Sequence, residues 1–155
     1  MNEQTLLTAW ERDQFYEVKK HGRFDHLRTT IPYGDPVHYA NVHFLHFKDE
    51  QEILADVPYE FAARLRQALP ELIQKAHDYA DAEDLICCYD SDRREIFQFS
   101  DVTIDRERPS RFYLSFDAGD DPDADPDDCM ELYRYIGFSE EMELTDDWYD
   151  ESIWR

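Results

Sequence analysis

The segment from Asp117 to Asp128 constrains this chain more than any other, because it cannot fold on its own. It reads DAGDDPDADPDD and holds seven aspartates, two prolines and no cationic residue. Aspartate and proline are poor helix and strand formers, and like charges at this density repel each other. The composition therefore predicts a solvated acidic loop over residues 117–128.

The acidic character continues beyond this loop and makes the charge of the chain strongly asymmetric. From Leu114 to Arg155 there are fifteen Asp or Glu residues and two Arg, a balance of −13 within a total of −21. Such a charge favours rapid capture of a positively charged partner, and it argues against direct binding to nucleic acid or to an anionic membrane surface. We therefore expect a basic protein as the partner.

Length and composition indicate one folded domain over residues 1–155. The chain is 42% hydrophobic and 15% aromatic, which is enough apolar surface to offset chain entropy in a single core. The N-terminal residues lack a basic segment followed by an apolar run, and no eighteen apolar residues occur together, so we predict a cytoplasmic protein without a membrane segment. Three cysteines, two of them adjacent as Cys87 and Cys88, favour reduced thiols.

Hydrophobic periodicity predicts the elements of the first half. We expect a helix over about residues 3–13, a strand over residues 23–31, and a long strand over residues 37–47 that is rich in β-branched and aromatic side chains. From Pro58 onward, apolar residues recur at spacings of three and four, which is typical of a helix. Pro70 within this pattern predicts a kink or two consecutive helices, because proline cannot donate a helical hydrogen bond.

The second half reads as strands followed by a short helix. Residues 85–89, 94–104 and 111–116 predict a meander of three strands. Asp127 or Asp128 can cap a short helix that Gly137 closes, and the last eighteen residues show no strong pattern. The order of elements predicts an α+β fold: an antiparallel sheet with helices packed mainly on one face.

The acidic loop resembles the start of a calcium-binding EF-hand loop, but the pattern is incomplete. Aspartates at Asp121, Asp123, Asp125 and Asp127 occupy relative positions 1, 3, 5 and 7, whereas Pro126 and Leu132 occupy the positions of the glycine and the bidentate glutamate. With four glycines in the chain there is no phosphate-binding glycine-rich loop, and no zinc or redox cysteine spacing occurs. We predict no metal and no cofactor.

The histidines leave an enzymatic alternative open. His38 and His46 share a face of the predicted strand but lie eight residues apart, about 26 Å, too far to share a ligand. A catalytic site would have to bring together distant groups, with Asp25 and the histidines as candidates and Cys87 or Cys88 as a nucleophile. The candidate histidines are His21, His26 and His77.

The C-terminal quarter is the strongest candidate for a partner-binding surface, because acidic residues surround aromatic ones there. Interfaces that bind tightly place aromatic anchors in pockets while charged residues steer the encounter. The alternative is that the tryptophans fold into the core and the carboxylates serve only solubility. The predicted partner-binding residues are Asp120, Asp121, Asp123, Asp125, Asp127, Asp128, Glu140, Glu141, Glu143, Asp146, Asp147, Trp148, Tyr149, Asp150 and Trp154.

In size, charge and aromatic content, this small acidic chain resembles the immunity proteins that bacteria pair with the basic toxin domains of contact-dependent and other polymorphic toxin systems. The resemblance implies a cognate toxin, often a nuclease with a positively charged substrate groove, which the acidic surface blocks. On this basis we predict an inhibitor, with the loop at 117–128 and the acidic, aromatic tail as its docking surface. The main alternative is a DNA mimic that binds several DNA-binding proteins through spaced carboxylates, and an uncharacterised housekeeping domain stays open.

Overall fold

A computed structural model describes residues 15–83, 98–108, 110–120 and 130–153. These residues form seven strands and two helices. In chain order the elements are β1 (Tyr16–Lys20), β2 (Arg23–Tyr33), β3 (His38–Leu45), α1 (Glu50–Asp56), α2 (Tyr59–Ala82), β4 (Gln98–Asp105), β5 (Phe112–Asp120), β6 (Met130–Phe138) and β7 (Leu144–Ile153).

The seven strands form one sheet in sequential order from β1 to β7. All neighbouring strands pair antiparallel except β3 and β4, which are parallel. A parallel pair needs a crossover connection, and both helices lie in the segment that joins β3 to β4. The predicted α+β class is therefore confirmed, with a mostly antiparallel sheet.

Alternating side chains give the sheet two chemically different faces. On the core face, one row across the strands contains Thr29, Val42, Val102, Leu114 and Ile136, all buried. The buried residues of α1 and α2 belong to the same hydrophobic cluster as this row, and the ring of Phe61 in α2 contacts that of Phe112. We call the opposite side the polar face, because histidine, arginine, aspartate and asparagine occupy it in β2, β3 and β4.

The two strands and the long helix predicted in the first half are present, with two corrections. The strands predicted at residues 23–31 and 37–47 correspond to β2 and β3, but His46 lies beyond the end of β3 with a φ of 66°. The helix predicted from Pro58 is a single helix, so the alternative of two consecutive helices at Pro70 is wrong.

Helix α1 was not predicted, although its N-terminus carries a recognisable cap. The Asp49 carboxylate accepts a hydrogen bond from the backbone N–H of Glu52 at 2.9 Å. The Glu52 carboxylate in turn accepts from the backbone N–H of Lys48 at 3.1 Å. The first bond satisfies an N–H group that the first helical turn leaves free, and the second fixes the residue before the cap to the helix.

The larger corrections concern the C-terminal third. The acidic loop was predicted from Asp117, but β5 continues to Asp120, and Asp117 pairs with Tyr133. The short helix predicted between Asp128 and Gly137 is wrong, because residues 130–138 form β6. The last eighteen residues show no strong sequence pattern, yet they contain β7, which pairs along its length with β6.

The strands predicted at residues 94–104 and 111–116 correspond to β4 and β5, which span Gln98–Asp105 and Phe112–Asp120. The other element predictions lie outside the described residues. They are the helix at residues 3–13, the strand at 85–89 and the part of the acidic loop beyond residue 120.

Candidate functional site

The polar face brings together chemically active residues from six strands. One row across the strands contains Arg28, His43, Thr103, Tyr113, Gly137 and Asp146, and the next contains Thr30, Asn41, Asp101, Ser115, Tyr135 and Trp148. Because both rows lie on the same face, residues far apart in sequence become neighbours. Two clusters stand out on this face, one around a pair of histidines and one around Trp148.

The first cluster is a chain of hydrogen-bonding groups in which two imidazoles contact each other. His26 Nε2 lies 2.8 Å from His43 Nδ1, and His26 Nδ1 lies 2.6 Å from an Asp25 carboxylate oxygen. At the other end, His43 Nε2 lies 3.6 Å from a carboxylate oxygen of Asp101. The four residues therefore connect β2, β3 and β4.

Both carboxyl groups of this cluster have a lowered pKa. The hydrogen bond from His26 is the main cause for Asp25, which Lys20 also faces at 4.0 Å. Burial raises the pKa of Asp101, but hydrogen bonds from His43 and Ser100, together with the attraction of His43, outweigh it and leave the pKa lowered. Each carboxyl group is therefore held in its charged form, which suits it to face an imidazole N–H.

The second cluster stacks a guanidinium group on Trp148. The Cζ atom of Arg108 lies 3.2 Å from the centre of the Trp148 ring. The same indole stacks on Tyr135, with ring centres 5.4 Å apart, and meets Tyr113 edge to face at 4.9 Å. A cation over an indole face and stacked aromatic rings are both attractive arrangements. Trp148 is half-buried and held by these contacts, which gives the cluster a fixed shape.

A network of hydroxyl groups fixes Asp146 beside this cluster. The Asp146 carboxylate accepts hydrogen bonds from Ser110 Oγ and, at 2.9 Å, from Thr145 Oγ1. The Arg108 guanidinium lies 3.7 Å from the other carboxylate oxygen. Asp146 therefore has partners within its own chain.

Asp147 is also engaged, but on the core face. It continues the buried row beyond Ile136, and its carboxylate accepts a 2.8 Å hydrogen bond from the Tyr79 hydroxyl of α2. Arg134 approaches the second oxygen at 3.5 Å. The hydrogen bond to Asp147, burial and nearby negative charge raise the pKa of Tyr79. Asp147 thus connects β7 to α2.

The turn between β6 and β7 carries three glutamates whose carboxylates, unlike those of Asp146 and Asp147, are not paired with another described residue. Glu140, Glu141 and Glu143 are exposed, and their carboxylates form no ion pair or hydrogen bond with any other described residue. The turn itself is closed by the Ser139 N–H, which donates to the Glu143 carbonyl at 2.8 Å. These charges are therefore presented to solvent on an ordered hairpin.

The predicted partner-binding residues thus fall into separate groups. Glu140, Glu141, Glu143, Asp146, Asp147 and Trp148 lie on one hairpin, but only the three glutamates have uncommitted side chains. Backbone positions alone are described for Asp120 in β5 and for Tyr149 and Asp150 in β7. The predicted residues outside the described part of the chain are Asp121, Asp123, Asp125, Asp127, Asp128 and Trp154.

The residues of the enzymatic alternative are only partly assembled. Asp25 and His26 are in contact, whereas His21 is exposed in the turn between β1 and β2 and His77 lies in α2. Cys87 and Cys88 lie outside the described residues. The sequence missed His43 as the partner of His26, because their contact depends on the register of β2 against β3.

The described residues contain neither a metal-binding cluster nor a membrane-spanning helix. Within residues 15–83, 98–108, 110–120 and 130–153, no group of three or more His, Cys, Asp or Glu side chains is arranged to hold a metal ion. Neither helix there has the length and apolar character needed to cross a membrane.

No protein-family model, curated protein or solved structure matches this chain. The function is therefore inferred from the residues of this chain alone.

Proposed function

We propose that this protein is a cytoplasmic inhibitor that binds a basic protein domain through the acidic hairpin of β6 and β7, in the manner of a toxin-neutralising immunity protein. The observation that carries the proposal is the state of Glu140, Glu141 and Glu143. Their carboxylates are exposed and have no partner among the described residues, although an ordered turn holds them. Uncompensated charges on an ordered element favour an oppositely charged partner.

The charge of the whole hairpin supports this choice of partner. Residues 130–153 contain eight acidic residues and one arginine. A field of one sign steers an oppositely charged protein toward the surface and repels nucleic acid. A basic substrate-binding groove, such as that of a nuclease, is therefore the complementary surface.

The engaged residues of the hairpin supply rigidity rather than free charge. Asp146 is fixed by Ser110 and Thr145, Asp147 is fixed by Tyr79, and Trp148 is held by Arg108 and Tyr135. A preorganised surface loses less conformational entropy on binding. We assign the docking contacts to the three glutamates and to the acidic run from Asp120 to Asp128, with the Trp148 cluster as their support.

We further propose that α1 and α2 pack mainly on the core face and leave the polar face accessible. The membership of both helices in the buried cluster supports this arrangement, as does the contact between Phe61 and Phe112.

The first test is capture of the partner by the full-length chain. The immobilised protein is exposed to lysate of its own cells at low salt and then washed at high salt, and the released proteins are identified by mass. We expect one basic protein whose activity is inhibited when the chain is added back. Salt should weaken capture strongly, because the Debye length falls from about 10 Å at 0.1 M to about 3 Å at 1 M.

The hairpin is then tested with a charge-matched pair of variants. The triple variant Glu140→Gln, Glu141→Gln, Glu143→Gln should slow association with the captured partner by about tenfold, within the range that electrostatic steering covers. The control variant Glu71→Gln, Asp81→Asn, Glu83→Gln removes the same charge from exposed positions in or beside α2. Equal slowing by both variants would leave only total charge as the cause and exclude a hairpin site.

The acidic run is tested separately from the hairpin, because the proposal assigns docking contacts to both. We expect replacement of its aspartates by asparagine to weaken binding, and unchanged binding would remove this segment from the interface. The positions to be replaced are Asp120, Asp121, Asp123, Asp125, Asp127 and Asp128.

The same capture experiment distinguishes a DNA mimic. A DNA mimic would retain several unrelated DNA-binding proteins, whereas an inhibitor of one toxin retains a single partner. Recovery of many such proteins would replace the immunity function with mimicry.

A further inference from the structure

The contact between His26 and His43 restricts how many protons the four ring nitrogens of the pair can hold. Two imidazoles present four ring nitrogens, and two neutral rings together carry two N–H groups. Here the two inner nitrogens lie 2.8 Å apart, and both outer nitrogens face carboxylates. The arrangement can therefore be assigned protons from its geometry.

Each outer nitrogen requires a proton. His26 Nδ1 lies 2.6 Å from Asp25, so a bare nitrogen there would place its lone pair against a carboxylate oxygen. His43 Nε2 faces Asp101 at 3.6 Å, where an N–H is attracted and a lone pair is repelled. The lowered pKa of both carboxyl groups agrees with this assignment.

The inner nitrogens then require a third proton. With both outer nitrogens protonated, two neutral rings would leave bare lone pairs facing each other at 2.8 Å. One additional proton converts this repulsion into a hydrogen bond. A fourth proton would place two N–H groups opposite each other and break that bond.

We propose that His26 and His43 form a single proton-sharing unit, which holds three protons and one net positive charge between Asp25 and Asp101. On the polar face, the unit connects β2 to β3 through the two imidazoles, and it connects β3 to β4 through Asp101. When acid supplies the fourth proton, the tie is lost. His43 is the ring that moves, since its side chain is 25% exposed whereas that of His26 is 9% exposed.

The two cationic side chains near the pair are each engaged with another residue, so neither faces an imidazole nitrogen directly. Lys20 of β1 contacts Asp25, and Val18 of β1 lies opposite His26. Arg28 of β2 lies opposite His43 but donates a hydrogen bond to Asn41.

On β4, the neutral Thr103 lies opposite His43 and Asp101 faces its outer nitrogen, while Asp105 is hydrogen-bonded to His46. The unit is independent of the proposed hairpin interface, which uses the other end of the sheet.

The test is a nitrogen-15 NMR titration of the histidine-labelled full chain between about pH 5 and about pH 8, the range in which imidazoles change charge. We expect protonated shifts for both outer nitrogens, intermediate shifts for both inner nitrogens, and two rings that change together as pH falls. Independent titration of the two rings, or one fully bare inner nitrogen at neutral pH, would overturn the proposal.

Two variants sharpen the result. Asp101→Asn removes the carboxylate that faces His43, so the inner shifts should move toward those of neutral rings at a lower pH than in the parent. His38→Gln is the matched control, because His38 is exposed at the start of β3 and contacts Tyr33 rather than the pair. If Asp101→Asn fails to fold, the titration of the parent chain still decides between the outcomes. An Asp101→Asn spectrum identical to that of the parent would contradict the role of Asp101.

Discussion

Gly137 offers the sharpest test of the packing on the polar face. It lies in β6 between Tyr113 of β5 and Asp146 of β7. A Cβ atom added there would lie 2.7 Å from Ser110 Oγ and 3.2 Å from Asp146 Cγ, with the Asp146 carboxylate oxygen closer still. Glycine is therefore required by the side chains opposite it rather than by its backbone angles.

The expected magnitude follows from which atoms must move in the Gly137→Ala variant. The crowding atoms are ends of side chains, so the main loss is the hydrogen bonds of Ser110 and Thr145 to Asp146, each about 1 kcal/mol. Alanine in a strand recovers about 0.5–1 kcal/mol of the conformational entropy that glycine loses on folding. We expect a net loss of about 1 kcal/mol, or roughly 2–4 °C in Tm for a chain of this size.

A double-mutant cycle measured by urea unfolding separates this cause from others. In the Asp146→Ala background the carboxylate is gone and the Ser110 hydroxyl, no longer bonded to it, can rotate away from the added Cβ. Gly137→Ala should then become neutral or stabilising, with a coupling of about 1–2 kcal/mol. Gly22→Ala is the control, because nothing lies within 4 Å of its added Cβ and its φ of +75° alone sets the cost. A Gly137→Ala effect that is identical in both backgrounds would refute the reasoning.

Two further changes test other elements. His46 has a raised pKa, caused first by its 2.7 Å hydrogen bond to Asp105, so its stabilisation is full below about pH 6.5 and disappears as pH rises through the raised value. His46→Asn, which tolerates the positive φ, should therefore cost more free energy of unfolding at acidic than at alkaline pH, and a cost independent of pH would contradict this. Pro70→Ala should raise the free energy of unfolding by about 2 kcal/mol, because it restores a donor inside α2. Denaturant unfolding that shows no gain would contradict that assignment.

The sequence allowed the elements with simple periodicity to be predicted. In β2 and β3, alternate buried positions such as Ile31, Val42 and Phe44 follow the period of two that a half-buried strand requires. In α2, buried residues such as Phe61 and Leu65 follow the helical period. In each case one face is apolar, so burial and pattern agree.

The errors arose where the apolar spacing fits both a helix and a strand, or where a polar residue occupies a core-face position. The apolar spacing at Leu132, Tyr133 and Ile136 fits a helix or a strand, and the preceding aspartates resembled a cap. In β7, the core-face position is held by Asp147, a polar and partly buried residue whose carboxylate is paired with Tyr79 and Arg134. Such partners come from distant elements, so no local pattern predicts them.

The candidate site was predictable in its charge but not in its contacts. The exposed glutamates at the turn could be found from composition alone. The pairing of His26 with His43 and the stacking of Arg108 on Trp148 required the strand register, which short-range sequence does not give.

The single parallel pairing, β3 with β4, divides the sheet into two halves of different folding difficulty. Four residues separate β2 from β3, whereas 52 residues separate β3 from β4. Loop-closure entropy grows with the logarithm of loop length, so bringing β3 to β4 costs about 2 kcal/mol more than closing the hairpin of β2 and β3. The two antiparallel halves can form from local contacts, whereas pairing β3 with β4 must close the long connection that contains both helices. The rate at which the whole sheet assembles is therefore set at its middle, between two strands that are each already paired on their outer side.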